Sequence, residues 1–179
     1  MTRPLIVSAT RAEAAHVPAS HRLLVCGIGK VEAAAAVAEA VAQERPSLIV
    51  NVGTAGSLGG ATGLFVPSRV VNHDFSAALI RNLGADAVDE IEVPGGDGSV
   101  LATGDVFVTD PAVRDVLARR AGLVDMEGFA VARVAQRAGV PVRLVKHVSD
   151  QADESALDWP TVVDASARVL ASWLREHLP

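Results

Sequence analysis

Apolar positions recur in two patterns, and these alternate along the sequence. Short runs of Val, Ile and Leu predict strands, at residues 4–9, 22–27, 47–53, 65–71, 99–108 and 142–150. Apolar residues at helical spacing between these runs predict helices, at residues 31–45, 110–120, 124–134 and 157–177. The alternation predicts a mostly parallel sheet that is covered by helices.

Several local signals add detail to this pattern. Thr10 is a good cap for a helical turn that holds Glu13. Pro67 lies inside the fourth strand-type run and predicts an edge strand or a bulge, because proline has no N–H for a neighbouring strand. The sequence GTAGSLGG at 53–60 predicts a loop that brings backbone close to a ligand. The pattern between 72 and 98 is least clear, and we predict a short helix or an active-site loop there.

Composition narrows the class of protein. The 179 residues contain no linker or repeat and predict one domain over 1–179. Half of the residues are hydrophobic but only 3% are aromatic, so the core is expected to consist of Ala, Val and Leu. The formal net charge of -5, without a basic run, argues against a nucleic-acid surface. The single Cys26 fits a reducing cytoplasm, and the apolar run at the start is too short for a signal peptide.

Membrane, metal and redox chemistry find little support in the sequence. The alanine-rich stretch 31–42 is interrupted by acids, so we predict a helix that does not span a membrane. The five histidines show no i, i+4 pair and the chain has no pair of cysteines, so we expect no metal site. The glycines of 53–60 do not match the dinucleotide fingerprint, and we expect no cofactor.

Three acids lie near the ends of predicted strands: Glu13, Glu127 and Asp150. Ligands of α/β sheets bind outside the carboxyl ends of the strands. Glycosyl transfer to water needs an acid for the leaving group and a base for the water, and separated carboxylates can supply both. The residues alone leave an alternative open, in which Glu13 is a solvated helix acid, Glu127 caps a helix and Asp150 starts a turn.

Several short motifs follow one another in an order that resembles the nucleoside phosphorylase and nucleosidase superfamily, and most closely the methylthioadenosine/S-adenosylhomocysteine nucleosidases. They span almost the whole chain: LIVSATRAE near the start, GIGKVEAA at 27–34, NVGTAGSL at 51–58, TGDVFV at 103–108, DME at 125–127 and VSD at 148–150. The resemblance implies a three-layer α/β/α sandwich with a mixed, mostly parallel central sheet, of the phosphorylase/hydrolase-like kind.

The resemblance also implies roles for the acids. Glu13 aligns with the general base that activates water. Asp150 aligns with the acid that donates a proton to the purine N7 as the glycosidic bond breaks. Met126 and Glu127 align with the residues that hold the ribose, and Glu127 takes its hydroxyl groups.

The remaining site residues follow from the same resemblance. Phe107 aligns with the residue stacked on the base, and Val108 would offer backbone hydrogen bonds to that base. Ser149 would support the acid beside it. Thr54 and Gly56 would line the water or ribose side of the pocket.

Two positions bear on the choice of nucleophile. Asn51 stands where phosphorylases of the superfamily commonly have an Arg that grips phosphate, and this favours water. Lys146 stands where the nucleosidases have an Arg near the catalytic water, so we predict a contact of Lys146 with water or ligand. Compared with relatives, the chain has no β-hairpin at 17–22 and lacks most of a helix between 74 and 103.

The sequence therefore predicts a hydrolase that cleaves the N-glycosidic bond of a purine nucleoside and releases the free base. The alternatives are a phosphate-dependent phosphorylase, a futalosine-type hydrolase and an inactive nucleoside-binding module. The Ala- and Val-rich chain is expected to expose apolar surface, and we predict a cytoplasmic homodimer.

Overall fold

The structure, a computed structural model, describes residues 3–178. Within these residues there are nine strands: β1 (Leu5–Ser8), β2 (Arg22–Val25), β3 (Ile49–Ser57), β4 (Leu64–Phe65), β5 (Arg69–Asn72), β6 (Glu90–Glu92), β7 (Val100–Thr103), β8 (Leu123–Asp125) and β9 (Val142–Asp150). The same part of the chain forms five α-helices: α1 (Lys30–Gln43), α2 (Ala77–Asn82), α3 (Pro111–Leu117), α4 (Gly128–Ala138) and α5 (Trp159–His177). A 3₁₀-helix, Glu154–Asp158, directly precedes α5.

The strands form one mixed sheet with β3 near its centre. The order is β2-β1-β3-β8-β7-β5-β6, and β9 pairs with β3 and β4. Parallel pairs join β1 to β2 and β3, β9 to β3, and β7 to β5 and β8. Antiparallel pairs join β8 to the end of β3, β4 to β9, and β6 to β5. The prediction of a mixed, mostly parallel sheet is confirmed.

Helices cover both faces of the sheet because successive strand residues point to opposite sides. In β1, Leu5 and Val7 pack against α1 and α4, whereas Ile6 packs on the other face with Leu170 and Leu174 of α5. These buried layers consist mainly of Ala, Val, Ile and Leu, in keeping with the low aromatic content. The predicted three-layer α/β/α sandwich is therefore confirmed.

The predicted loop at 53–60 is wrong over its first half. Strand β3 continues to Ser57, since β9 pairs with it as far as Gly56. The predicted edge strand or bulge at Pro67 is also wrong. The run separates into β4 and β5 on either side of that proline, and β5 lies inside the sheet between β6 and β7.

The region of unclear pattern contains α2 and also β6, a three-residue strand that the sequence did not predict. Strand β7 ends at Thr103, five residues earlier than predicted. A Cβ on Gly104 would lie 2.2 Å from Nε2 of His73, so the chain turns there in a space that only glycine fits. Helix α3 begins as predicted, because the Asp110 carboxylate accepts a hydrogen bond from the Ala112 N–H at 2.8 Å. No helix in residues 3–178 is long and apolar enough to cross a membrane.

Candidate active site

A cavity of about 470 Å³ opens beside the carboxyl ends of β1, β3 and β9. It is lined by nine of the ten residues that the sequence singled out, namely Glu13, Thr54, Gly56, Phe107, Val108, Met126, Glu127, Ser149 and Asp150. The exception is Lys146, which lies beneath the lining and is almost fully buried. In the part of the chain that the structure describes, no group of three or more His, Cys, Asp or Glu residues is arranged to hold a metal ion.

Glu13 is buried, and four hydrogen bonds hold its carboxylate. Oε2 accepts from the N–H of Thr10 at 3.2 Å and from its hydroxyl at 3.1 Å, while the Glu13 N–H donates back to the Thr10 hydroxyl. This reciprocal pair is a capping box, so the sequence TRAE fixes the turn locally. Oε1 accepts from the N–H of Thr54 at 2.7 Å and from its hydroxyl at 2.9 Å. Glu13 is thereby anchored to β3 as well.

Lys146 forms a buried ion pair with Asp125. Its Nζ lies 2.8 Å from Oδ2, and Asp125 also accepts from the Thr103 hydroxyl at 2.5 Å and the Gly128 N–H at 2.9 Å. A Cβ on Gly53 would lie 3.4 Å from Nζ and 3.0 Å from Oε1 of Glu13, so this glycine leaves room for both groups. Burial lowers the pKa of Lys146, but the charges of the nearby carboxylates, Asp125 first, outweigh it and leave the pKa above its usual value.

Glu127 lies between this ion pair and the start of α1. Its Oε1 accepts a hydrogen bond of 2.8 Å from the N–H of Gly29. Burial, and then the neighbouring charge of Asp125, raises the pKa of Glu127 to about 7, although Lys146 acts in the opposite direction. Glu127 therefore changes its charge near neutral pH.

Asp150 ends β9 at the wall of the cavity and is half-buried. Its Oδ2 accepts from the Ser149 hydroxyl at 2.7 Å and its Oδ1 from the Ala152 N–H at 2.9 Å. A Cβ on Gly56 would lie 2.9 Å from Oδ1, so this glycine also makes room for an acid. The small residues of β3 thus explain why side chains from distant segments fit around one strand.

The loop after β7 supplies one side of the cavity. Phe107 lines it with half of its surface still exposed, and Val108 is buried beside it. Among residues 3–178, the N–H and C=O of Val108 have no hydrogen-bond partner, so both are free to pair with a ligand. This arrangement gives a planar ligand one aromatic face and two backbone groups.

Sequence reasoning missed the contacts that hold this loop in place. The ammonium of Lys30, at the start of α1, pairs with Asp74 and donates to Asn72 Oδ1 at 3.0 Å. Asp105 accepts from the Lys30 N–H at 2.8 Å, and Asp74 accepts from the Asp105 N–H at 2.7 Å. The lysine of GIGK and the aspartate of TGDVFV were visible as motif residues, but nothing in the sequence showed that they meet.

Asn51 does not line the cavity. It is 1% exposed, and its Nδ2 donates to the Val7 carbonyl at 3.2 Å between β3 and β1. Asn51 therefore holds two strands together, and its contribution to the site is that no cationic side chain stands at this position.

Comparison with known proteins identifies the family of the chain. A family model described as the phosphorylase superfamily matches residues 20–176 of the chain. The chain belongs to this superfamily, which confirms the resemblance identified from its sequence motifs.

Individual proteins similar to the chain are named for particular nucleosidase activities. The chain is 29% identical over 176 residues to the 5'-methylthioadenosine/S-adenosylhomocysteine nucleosidase of Geobacillus sp. (strain WCH70), covering 82% of this chain and 75% of that protein. It is 32% identical over 114 residues to the aminodeoxyfutalosine nucleosidase of Helicobacter pylori (strain ATCC 700392 / 26695), covering 62% and 48% of the two.

Solved structures share the fold. The chain superposes on a Helicobacter pylori MTAN mutant with 5'-methylthioadenosine in the active site, with a TM-score of 0.86 and 23% identity over 98% of this chain and 97% of that one. It also superposes on the S-adenosylhomocysteine nucleosidase of Streptococcus pyogenes in complex with 5-methylthiotubericidin. Here the TM-score is 0.82 with 26% identity over 99% and 98% of the chains.

Proposed function

We propose that this chain hydrolyses the N-glycosidic bond of a purine nucleoside of the methylthioadenosine/S-adenosylhomocysteine type and releases the free base. The observation that carries the proposal is the meeting of Glu13, Glu127 and Asp150 at one cavity beside Phe107. These residues come from four separate segments of the chain, which is difficult to explain if each acid only caps a local turn.

In this proposal the acids divide the reaction between them. Asp150 donates a proton to the leaving base as the C–N bond opens, and Ser149 holds its carboxyl group in place. Glu13 removes a proton from the attacking water. Glu127 accepts hydrogen bonds from the ribose, and the negative charge of the site stabilises the cationic sugar of the transition state.

Base recognition is assigned to the loop after β7. Phe107 stacks on the purine, and the free backbone groups of Val108 pair with its edge. Met126 packs against the sugar, and Thr54 and Gly56 line the side from which water arrives.

The charge of the lining supports water over phosphate as the nucleophile. Among the residues the structure describes, the lining holds four carboxylates, of Glu13, Asp125, Glu127 and Asp150, and no Lys or Arg. A phosphate dianion needs cationic donors, which Arg supplies best, and the described lining offers none. Lys146 points its ammonium at Asp125 beneath the lining, so we propose that it acts on the site through that ion pair.

An aminodeoxyfutalosine-type substrate is the second candidate. The chain is similar to proteins named aminodeoxyfutalosine nucleosidase as well as to methylthioadenosine nucleosidases. Both candidates present a nucleoside base to the same loop and differ at the 5' end. The apolar residues at the cavity mouth, Ile28 and Leu157 among them, favour an apolar 5' substituent.

We further propose that the chain acts in the cytoplasm as a single domain that forms a homodimer. Large apolar side chains remain exposed near the cavity mouth, including Ile28 at 58%, Val31 at 75% and Val106 at 55%. Such patches are typical of interfaces. Light scattering at micromolar concentration should give twice the mass of one chain, and the mass of one chain would contradict the proposal.

The test of the function is a base-release assay. The full chain is incubated with methylthioadenosine, S-adenosylhomocysteine and aminodeoxyfutalosine, each with and without inorganic phosphate. Release of base at the same rate in both conditions is expected. Release only with phosphate would mean phosphorolysis, and binding of nucleosides without release would mean an inactive binding module.

A further inference from the structure

We propose that Trp159 is a positioning residue for Glu13, and that it acts through the hydroxyl group of Thr54. This inference rests on the proposed function, in which Glu13 activates water. Trp159 is the first residue of α5, and the sequence indicated it only as part of a helix start. In the structure it lines the cavity together with Glu13 and Thr54.

The three side chains form a relay of hydrogen bonds. Nε1 of Trp159 lies 2.9 Å from the Thr54 hydroxyl oxygen, which in turn lies 2.9 Å from Oε1 of Glu13. The residues come from α5, from β3 and from the turn after β1, so 105 positions of sequence separate the indole from its partner.

The chemistry of the groups fixes the direction of the relay. An indole N–H can only donate, and a hydroxyl group has a single proton beside its acceptor sites. Since the Thr54 oxygen accepts from Trp159, its own proton is directed towards Glu13, which as a carboxylate only accepts. Without the indole, the Thr54 hydroxyl is free to rotate and to donate elsewhere.

The relay matters because the Thr54 hydroxyl is one of the two groups that hold Oε1 of Glu13. Oε2 is held by Thr10 in the capping box, and Oε1 is held by the N–H and the hydroxyl of Thr54. A general base must keep its acceptor oxygen within hydrogen-bond reach of the water it deprotonates. Trp159 therefore couples the position of α5 to the orientation of the base.

A conservative substitution separates this role from simple packing. Trp159→Phe keeps an aromatic ring in the wall and removes only the N–H donor and part of the ring area. Loss of one neutral hydrogen bond that orients the base should lower kcat for base release about five- to tenfold, with KM within about threefold. A rise in KM with unchanged kcat would mean that Trp159 is only a wall of the cavity, and would overturn the proposal.

Substitutions of Thr54 test whether the effect of Trp159 on Glu13 passes through the hydroxyl group. In a Thr54→Val background there is no hydroxyl to orient, so Trp159→Phe should cause no further loss of kcat. In a Thr54→Ser background the hydroxyl is kept, and the sensitivity to Trp159→Phe should return. Equal losses in the Val and Ser backgrounds would show that the effect does not travel through Thr54.

The chain offers a matched control in its other tryptophan. Trp173 lies near the other end of α5, is buried against the sheet and stacks on His177, outside the cavity lining. Trp173→Phe should therefore leave the kcat and KM of base release within about twofold. If both tryptophan variants lower kcat equally, the loss comes from α5 as a whole and the relay is wrong.

Equilibrium unfolding in urea tests the relay without turnover. Trp159→Phe, Thr54→Val and their double variant form a double-mutant cycle, which is expected to show a coupling of at least about threefold in the unfolding equilibrium constant. Additive effects would overturn the relay. If the wild-type chain releases no base but the cycle shows coupling, the proposed function fails and the relay stands. Should Trp159→Phe not fold, Trp159→Met replaces it in each measurement.

Discussion

The floor and the rim of the cavity are built from opposite kinds of residue. The floor consists of three buried carboxylates and the lysine beneath them: Glu13, Asp125, Glu127 and Lys146. The rim consists of apolar side chains that are all more than half exposed: Ile28 at 58%, Val106 at 55%, Phe107 at 51% and Leu157 at 68%. Polar groups are thus inside and apolar groups outside, which is the reverse of ordinary burial.

The difference indicates a division of labour. Charges that are shielded from water interact strongly. Each floor carboxylate is held by hydrogen bonds or by the ion pair, so a substitution in the floor alters the charge or the geometry of its neighbours. The rim makes few contacts of its own and gains them when a ligand covers it. Floor substitutions should therefore change rate, stability or pH dependence, whereas rim substitutions should change KM.

The largest expected effect is at the floor. Glu13→Gln keeps the shape and the contacts to Thr54 but removes the base, so kcat should fall by about 10²–10⁴-fold while nucleoside binding persists. Steady-state kinetics of base release and binding of a nucleoside by calorimetry measure the two quantities. Normal turnover in this variant would leave Glu13 as a structural acid.

The second largest effect is expected at Asp150, which lies in the cavity wall between the floor and the rim. Asp150→Asn retains hydrogen-bonding capacity but has no proton to give, so the rate should fall by at least about two orders of magnitude. The loss should be larger for substrates with a poor leaving base than for those with an activated one. Equal losses on the two kinds of substrate would show that Asp150 positions the base and does not protonate it.

Substitution of Lys146 tests how much its ion pair with Asp125 stabilises the folded chain. Lys146→Met removes one partner of a buried ion pair and leaves Asp125 uncompensated, which should cost about 3–5 kcal/mol in the free energy of unfolding. Lys146→Arg keeps the charge and serves as the matched variant, with a smaller expected loss. Urea denaturation measures both, and equal stability of the Met variant and the wild type would contradict the ion-pair account.

Glu127 should make stability depend on pH. Its pKa rises from 4.5 to about 7 on folding, so the folded chain holds a proton that the unfolded chain releases in this interval. The contribution of Glu127 to stability therefore decreases as pH rises from 4.5 to 7. Glu127→Gln removes this titration, and its stability relative to wild type should increase across the interval by on the order of 2 kcal/mol.

The control for this pH series is Glu39→Gln, which removes an exposed carboxylate of α1 outside the cavity lining. The stability of this variant should parallel that of the wild type from pH 4.5 to pH 7. A Glu127→Gln curve that also runs parallel to the wild type would rule out the raised pKa.

The smallest expected effect is at the rim. Phe107→Ala removes the aromatic face offered to the base, and KM should rise up to about tenfold with kcat within about twofold. Val116→Ala, an exposed apolar residue of α3 that does not line the cavity, is the matched control and should change neither constant. A large loss of kcat in Phe107→Ala would break the division between floor and rim.

Much of the site was predictable because its motifs are local. The capping box of Thr10 and Glu13 spans four residues, and Ser149 contacts the acid next to it, so both contacts follow from the sequence directly. The mostly parallel sheet followed from period and composition, since buried strands need continuous apolar runs. Nine of the ten predicted site residues line one cavity, and these ten were chosen from motifs that resemble the family.

The elements that the prediction missed depend on neighbours. Strand β6 has three residues, too few for a pattern, and forms because β5 offers it an open edge. The glycines of 53–60 favoured a loop, yet β3 continues through Gly53 and Gly56 because β9 supplies hydrogen bonds along its length. The preference of glycine for loops is weak compared with the hydrogen bonds that such strand pairing supplies.

The sequence by itself indicated most of the strands and helices in order, the family, and the acids and aromatic residue that line the cavity. Only the tertiary structure decided which of these groups touch. The contacts of Lys146 with Asp125 and of Trp159 with Thr54 join residues 21 and 105 positions apart in the chain. They arise from the register of β9 on β3 and from the packing of α5, and one step of register would turn each strand residue to the opposite face. The sequence therefore indicates which residues line the cavity. The pairing of strands that are distant in the chain decides which of these residues form hydrogen bonds and ion pairs.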